Sequence, residues 1–204
     1  MIDPSSLLRP TAYLDYESPG VKAFVSEVTL GATTDRERAS RLFLAVRDGV
    51  RYDPYQPDLS PGGLTASATL ARGAAFCVPK AILLAAAYRA VGLPTRLGFV
   101  DVTNHLATPR LRDRLHTHVF AFHGYVEVEL DGVTRKATPA FDAKLCAKFG
   151  VAPLEFDGSA DAMLQAFDGE GRAFLEYLED RGIYDDFPYE EMLRVWKLHY
   201  PHFF

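Results

Sequence analysis

The sequence predicts an α+β fold in which helices come first, an antiparallel sheet follows, and helices close the chain. Three observations carry this. Apolar residues recur at helical spacing through the first ninety or so positions, the period changes to two after Thr95, and helical patterns return after Asp142. The 204 residues are enough for one well-cored domain and are read as a single unit, 1–204.

The helical part has clear punctuation. Ser18–Pro19 can start a helix that runs through Val28. Thr34 caps the next, with Glu37 three residues on completing a capping box, and Ala39, Leu42, Phe43, Val46 and Val50 follow at helical spacing. Tyr52–Gly63, rich in Pro, Gly, Asp and Ser, reads as a loop. Ala74–Val91 is the most informative helix. Cys77 stands where it should begin, and Pro79 fits the first turn, where a missing N–H does no harm. Gly92 and Pro94 stop it.

Beyond Thr95 the pattern is that of strands. Arg96–Val102 reads as one strand, Asn104–Leu115 as polar and irregular, and His118–Leu130 as a long alternating strand. The even positions of that strand, Phe120, Phe122, Val126, Val128 and Leu130, form an apolar face, and His123 shares the odd face with Val119 and Ala121. Asp131–Gly132 is a hairpin signal, so Val133–Ala137 should pair back. Asp142–Phe149, Ala160–Phe167, Gly171–Arg181 and Pro188–Tyr200 read as helices.

Composition excludes several functions. A formal charge of −5 argues against a nucleic-acid partner, which needs a concentrated basic patch, and Asp113 interrupts the nearest candidate, Arg110–Arg114. The segment Met1–Pro10 lacks the apolar core of a signal peptide, and the longest apolar stretch, Ala81–Tyr88, is far too short to span a membrane. A cytoplasmic protein with no membrane partner is expected, and its two cysteines, Cys77 and Cys146, do not form a disulfide framework.

Chemistry is expected at Cys77. A helix N-terminus supplies free N–H groups and the positive end of a dipole, which favour a thiolate. An unpaired cysteine can equally be inert core. His123 adds the second group: if its strand face packs on the Cys77 helix, the imidazole can act as general base. A cysteine at a helix start followed by a histidine on a later strand is the order of papain-like catalysis. The Cys77 N–H would be one oxyanion donor, with Tyr55 or Gln56 of the Tyr52–Gln56 loop as candidates for a second. His105, His116 and His118 read as surface residues, since no further ligands stand at a usual metal spacing. Cys146 reads as core, and Tyr189, Trp196 and Tyr200 as a docking stripe.

Two stretches carry a family resemblance. Phe76–Cys77–Val78–Pro79–Lys80–Ala81, running on to Arg89–Ala90–Val91–Gly92–Leu93–Pro94–Thr95–Arg96, resembles the nucleophile segment of the transglutaminase-like superfamily. His123–Gly124–Tyr125–Val126–Glu127–Val128 resembles its histidine strand. The resemblance covers about 35–142, leaving about 143–204 as a helical extension. It implies a papain-like core with the nucleophile at a helix N-terminus packed on an antiparallel sheet. It also implies attack by Cys77 on a carboxamide or thioester of a peptide, protein or small molecule, a thioester intermediate, and transfer to an amine or to water. No cofactor and no metal are expected. Phe76 stands where the family has Gly, and Thr138 stands at the position of its third catalytic member, an Asp. Thr138 is therefore the expected third residue, with Asp142 and Asp101 as alternatives. The rival expectation is a non-catalytic module that keeps the fold and binds a peptide or partner in the Cys77 cleft.

Overall fold

The computed structural model describes residues 4–105, 107–165 and 167–204. In chain order the elements are α1 (Pro19–Val28), α2 (Asp35–Gly49), β1 (Arg51–Tyr52), α3 (Ala66–Arg72), β2 (Ala74–Ala75) and α4 (Cys77–Ala90). After these come β3 (Thr95–Asn104), α5 (Pro109–Leu115), β4 (Val119–Leu130), β5 (Val133–Ala137), α6 (Ala143–Phe149), β6 (Leu175–Tyr184) and α7 (Tyr189–His199). Strands β5, β4, β3 and β6 form one antiparallel sheet in that order, and β1 pairs parallel with β2 just before α4. Among the described residues no helix is long and apolar enough to cross a membrane.

The expected starts and stops hold. Pro19 opens α1. Thr34 and Glu37 make the reciprocal capping box of α2. Gly92 takes the left-handed conformation after α4, and Asp131 and Gly132 both have positive φ in the β4–β5 hairpin, as a type I′ turn requires.

The centre of the fold is α4, whose residues Cys77 to Arg89 are all buried. A helix without a polar face must be covered all round. Here α1, α2 and α3 pack on one side and the β3–β4 part of the sheet on the other. Gly124 lets sheet and helix approach. A Cβ there would lie 3.1 Å from the Ala81 Cβ and 3.2 Å from the Val78 Cα. The Lys80 ammonium, also fully buried, donates to the carbonyls of Arg47 (2.8 Å) and Val50 (2.5 Å), so it closes the C-terminal end of α2.

Two helices expected late in the chain are absent. Gly171–Arg181 contributes most of β6, the edge strand paired with β3. The residues described within 160–167 make only isolated bridges, Ala137 with Ala162 and Phe167 with Ala173, and Ala166 lies outside the described residues. Tertiary pairing explains the first miss: the open edge of β3 offers a full ladder, which outweighs the helical propensity of Leu, Glu and Arg. The stretch read as irregular, Asn104–Leu115, contains α5, capped by the Thr108 hydroxyl accepting from the Leu111 N–H. Leu106 of that stretch is outside the described residues.

Strand β4 carries a β-bulge. Val100 pairs with His123 and Val102 with Phe120, so Ala121 and Phe122 together oppose Asp101, and Phe122 has a φ of 63°. The bulge leaves backbone groups without ladder partners, and side chains replace them. Asp101 Oδ1 accepts the Phe122 N–H at 2.9 Å. The Tyr200 hydroxyl accepts the Ala121 N–H at 2.7 Å and donates to the Val119 carbonyl, while the Trp196 indole N–H donates to the Ala121 carbonyl at 3.2 Å. Asp101 is itself held by Arg181 of β6 at 2.6 Å.

Asp101→Ala should therefore leave the Phe122 N–H without its partner and Arg181 with only the exposed Glu179, 2.8 Å away. The expected destabilisation is about 3 kcal/mol, a fall in melting temperature on the order of 10 °C for a chain of this size. Thermal unfolding followed by circular dichroism checks this, and a variant melting within about 2 °C of wild type would show that Asp101 does not hold the bulge.

Candidate active site

Cys77 is the first residue of α4, separated from β2 only by Phe76, so the β1–β2 pairing fixes the approach to Cys77. Phe76 occupies the N-cap and makes no side-chain cap. The first N–H groups of the helix are thus left for an anion. Cys77 is buried, 8% exposed as a residue, and lines a narrow groove with Tyr52, Phe76, Phe120, Trp196 and Tyr200.

The histidine strand reaches the sulfur through its backbone. The N–H groups of Gly124, Val78 and Cys77 itself act on the thiol and pull its pKa down, as does the Lys80 charge. Burial outweighs them and pushes Cys77 up to about 11. The helix start is where the sequence indicated, yet loss of water around the sulfur dominates the dipole.

His123 does not face the way the alternation indicated. Because of the bulge, Phe122 turns to the α4 side, where it stacks on Phe99 with ring centroids 4.3 Å apart. Gly124 faces α4 as well, so His123 between them looks to the opposite side of the sheet. Its ring lies 6.4 Å from that of Phe141, and Phe120, expected in the opposite layer, lines a cavity with Phe141 and Phe174 instead. Burial alone lowers the His123 pKa to about 4. Neither ring nitrogen has a hydrogen-bond partner, so no hydrogen bond joins the imidazole to the Cys77 sulfur.

Thr138 follows β5 directly. Its N–H donates to the Ala162 carbonyl at 2.8 Å, and its buried hydroxyl is without a partner. The expected Thr138–His123 hydrogen bond is thus not made. Extending the β4–β5 register by one residue past Ala137–Val126 sets Thr138 opposite Tyr125, on the sheet face of His123 and diagonal to it. The two alternative carboxylates are engaged elsewhere. Asp101 holds the bulge and Arg181. Asp142 caps α6 by accepting from the Leu145 N–H and accepts the Tyr52 N–H with its other oxygen, both near 3 Å.

Tyr52 is the site residue that sequence reasoning passed over. It lines the Cys77 groove, and burial followed by the proximity of the Cys77 charge raises its phenol well above the ordinary tyrosine range, so it stays a donor. The residues expected in that role sit farther out: the Tyr55 hydroxyl is bonded to Thr108 at 2.8 Å, and Gln56 lines an outer groove with Arg51 and Arg110. A tyrosine at the end of a two-residue strand carries no local signal, and only the pairing of Tyr52 with Ala75 brings it to the cysteine.

The remaining candidates lie away from the groove. His105 contacts Glu176 at 3.3 Å, and His116 stacks on His202 at 4.1 Å. Among the described residues no group of three or more His, Cys, Asp or Glu side chains could hold a metal ion. Trp196 packs on Phe76 at 5.4 Å, so the aromatic stripe of α7 both docks that helix and walls the groove.

Comparison with solved structures places the fold. A provisionally assigned cysteine protease from Cytophaga hutchinsonii matches with a TM-score of 0.50 and 16% identity, over 90% of this chain and 55% of that one. A provisionally assigned protease from Parabacteroides distasonis matches with a TM-score of 0.42 and 18% identity, over 70% of this chain and 27% of that one. The chain thus spans about half the length of the first and less of the second. A comparison with curated protein sequences returned no match. Residues 22–134, more than half of the sequence, match the model of the transglutaminase-like superfamily. That stretch contains Cys77 and His123 but not Thr138. On this match the chain belongs to the transglutaminase-like superfamily.

Proposed function

We propose that the protein is a cysteine-dependent acyl-transfer enzyme acting on a carboxamide or thioester carbonyl. The observation that carries the reading is the meeting of Cys77, at an uncapped helix N-terminus, with the Gly124 N–H of the histidine strand. In this reading the Cys77 sulfur attacks the carbonyl carbon while His123 takes the thiol proton; the peptide after His123 already brings the Gly124 N–H to the sulfur, and Phe120, on the same face of β4 as His123, lines the Cys77 groove. The oxyanion is met by the Cys77 N–H and the Tyr52 hydroxyl. Collapse expels the amine or thiol, which carries off the proton from His123. Water or an amine then attacks the thioester, His123 accepts its proton, and the thiol is restored.

The pKa directions favour general-base catalysis over a preformed ion pair. A thiol near 11 and an imidazole near 4 leave both groups neutral at pH 7, so the proton moves only as the carbon–sulfur bond forms. Thr138 is assigned the third role because its free hydroxyl lies on the face of His123. A neutral hydroxyl can fix the ring, but it cannot stabilise an imidazolium as a carboxylate does.

A second reading has its own observation. With no carboxylate held to His123, the same groove would suit a module that binds a peptide without turning it over. Acylation by 4-nitrophenyl acetate separates the two. We expect a burst of nitrophenolate near one equivalent, a matching mass increase on Cys77, no burst in Cys77→Ala, and acylation slowed by about 10²–10⁴ in His123→Ala. Wild type reacting no faster than Cys77→Ala would establish the binding module.

His123 also predicts a pH dependence of stability. In the unfolded chain the imidazole takes a proton near its ordinary value of 6.5, and in the fold only near 4. Between those values the unfolded state holds more protons, so stability is full above 6.5 and falls as pH drops towards 4, by about 3 kcal/mol in all. Urea midpoints at pH 7.5 and 4.5 should drop farther for wild type than for His123→Asn. Equal drops would mean that His123 is not buried in its neutral form.

A further inference from the structure

Beside the Cys77 groove lies a cavity of about 140 Å³, the two sharing Tyr52, Pro54 and Phe120 as walls. Its far side is built from Leu111 of α5, Leu145 and Phe149 of α6, and Phe174 just before β6. We propose that this cavity is the specificity pocket of the enzyme and takes a benzyl- or isobutyl-sized side chain next to the attacked carbonyl. The proposal rests on the acyl-transfer reading above and names its substrate class: peptides or acyl amides with Phe- or Leu-like groups at that position.

Three features choose this occupant. The first is continuity. A substituent one bond from a carbonyl held at Cys77 needs only to pass Phe120 and Tyr52 to enter. The second is size. An apolar cavity of about 150 Å³ accommodates a benzene molecule, so a volume of about 140 Å³ suits a single ring or a branched aliphatic group and excludes an indole. The third is polarity. Apart from Tyr52, shared with the Cys77 groove, and the solvent-exposed Lys148, the polar side chains of the wall already hold partners. The Tyr55 hydroxyl is bonded to that of Thr108 at 2.8 Å, the Cys146 sulfur lies near the Phe141 carbonyl (3.9 Å) and the Gln165 amide nitrogen (3.6 Å), and Asn104 is also engaged. A charged or amide side chain would lose its water there without replacement. The ends of α5 and α6 fix the walls through the caps supplied by Thr108 and Asp142, so the pocket exists before substrate arrives.

Binding is measured with Cys77→Ala, which cannot turn substrate over, using N-acetyl-phenylalaninamide, N-acetyl-leucinamide, N-acetyl-glycinamide and N-acetyl-glutamate amide. The first two should bind about 10- to 100-fold more tightly than the last two, the factor expected for burying one such side chain. In the same background, Leu145→Trp, at a partly exposed position on the rim, should fill the pocket and erase the preference. Phe149→Ala should enlarge it and admit N-acetyl-tryptophanamide. Melting temperatures verify that both variants fold. If the four amides bind equally, or if the preference survives in a folded Leu145→Trp, the pocket is not the specificity site. The nitrophenyl acetate burst in otherwise wild-type protein needs no side-chain pocket. Its presence without an amide preference would sink this inference alone, and its absence beside a clear preference would sink the acyl-transfer reading while leaving an apolar binding pocket.

Discussion

One extra residue in β4 sets the arrangement of everything around the cysteine. Without the bulge at Ala121–Phe122, strict alternation would turn His123 and Phe120 to opposite faces of the sheet. With it, Phe122 and Gly124 lie against α4, and His123 and Phe120 look the other way. The backbone of Gly124 can then come close enough to act on the sulfur. The cost of a bulge is a set of backbone groups without ladder partners, and three side chains meet it: Asp101, opposite in β3, and Trp196 and Tyr200 from the last helix and the residue after it. The C-terminal part of the chain is therefore a structural member of the site. Arg181 of β6 holds Asp101, and His199 lies 3.5 Å from the same carboxylate.

The elements that could be read from the sequence are those fixed by local chemistry. The Thr34–Glu37 box, the proline in the first turn of α4, the glycine after it and the Asp131–Gly132 hairpin each act over four or five residues, and each holds. The order of cysteine helix and histidine strand was legible too, because two motifs in series are hard to match by chance. What could not be read depends on distant pairing. A bulge changes no composition and no hydrophobic count. The strand β6 looks helical until the free edge of β3 is known. Tyr52 becomes a site residue only through a two-residue parallel ladder that joins it to the chain just before Cys77.

Electrostatics at the site follow burial more than charge. The sequence pointed to a helix dipole that lowers a thiol and a base that partners it. In the fold, Asp101 and Asp142, the two carboxylates weighed as partners for the imidazole, instead cap a bulge and a helix. Removing water favours the neutral form of both groups, so the thiol rises and the histidine falls. In the third role proposed for it, Thr138 suits that condition. A buried carboxylate beside a neutral ring would itself be an unpaired charge, whereas a hydroxyl carries no such penalty.

Lys80 shows how packing and chemistry share one helix. It lies one turn after Cys77, has no exposed surface, and spends its ammonium on two carbonyls at the end of α2. Burial lowers its pKa to about 7, with Asp142 and Asp48 acting in the opposite direction. A lysine in the core is an expensive way to join two helices, since an apolar residue of similar volume would pack without desolvating a charge. It does what an apolar residue cannot: it satisfies carbonyls that α2 leaves open, and it brings positive potential to the start of α4, where the Cys77 pKa is lowered by its charge. The helix that presents Cys77 is thus anchored by a group that also makes a thiolate there less unfavourable. In a site where burial raises the thiol, that charge and the N–H groups of Gly124, Val78 and Cys77 are what the fold supplies against the loss of water.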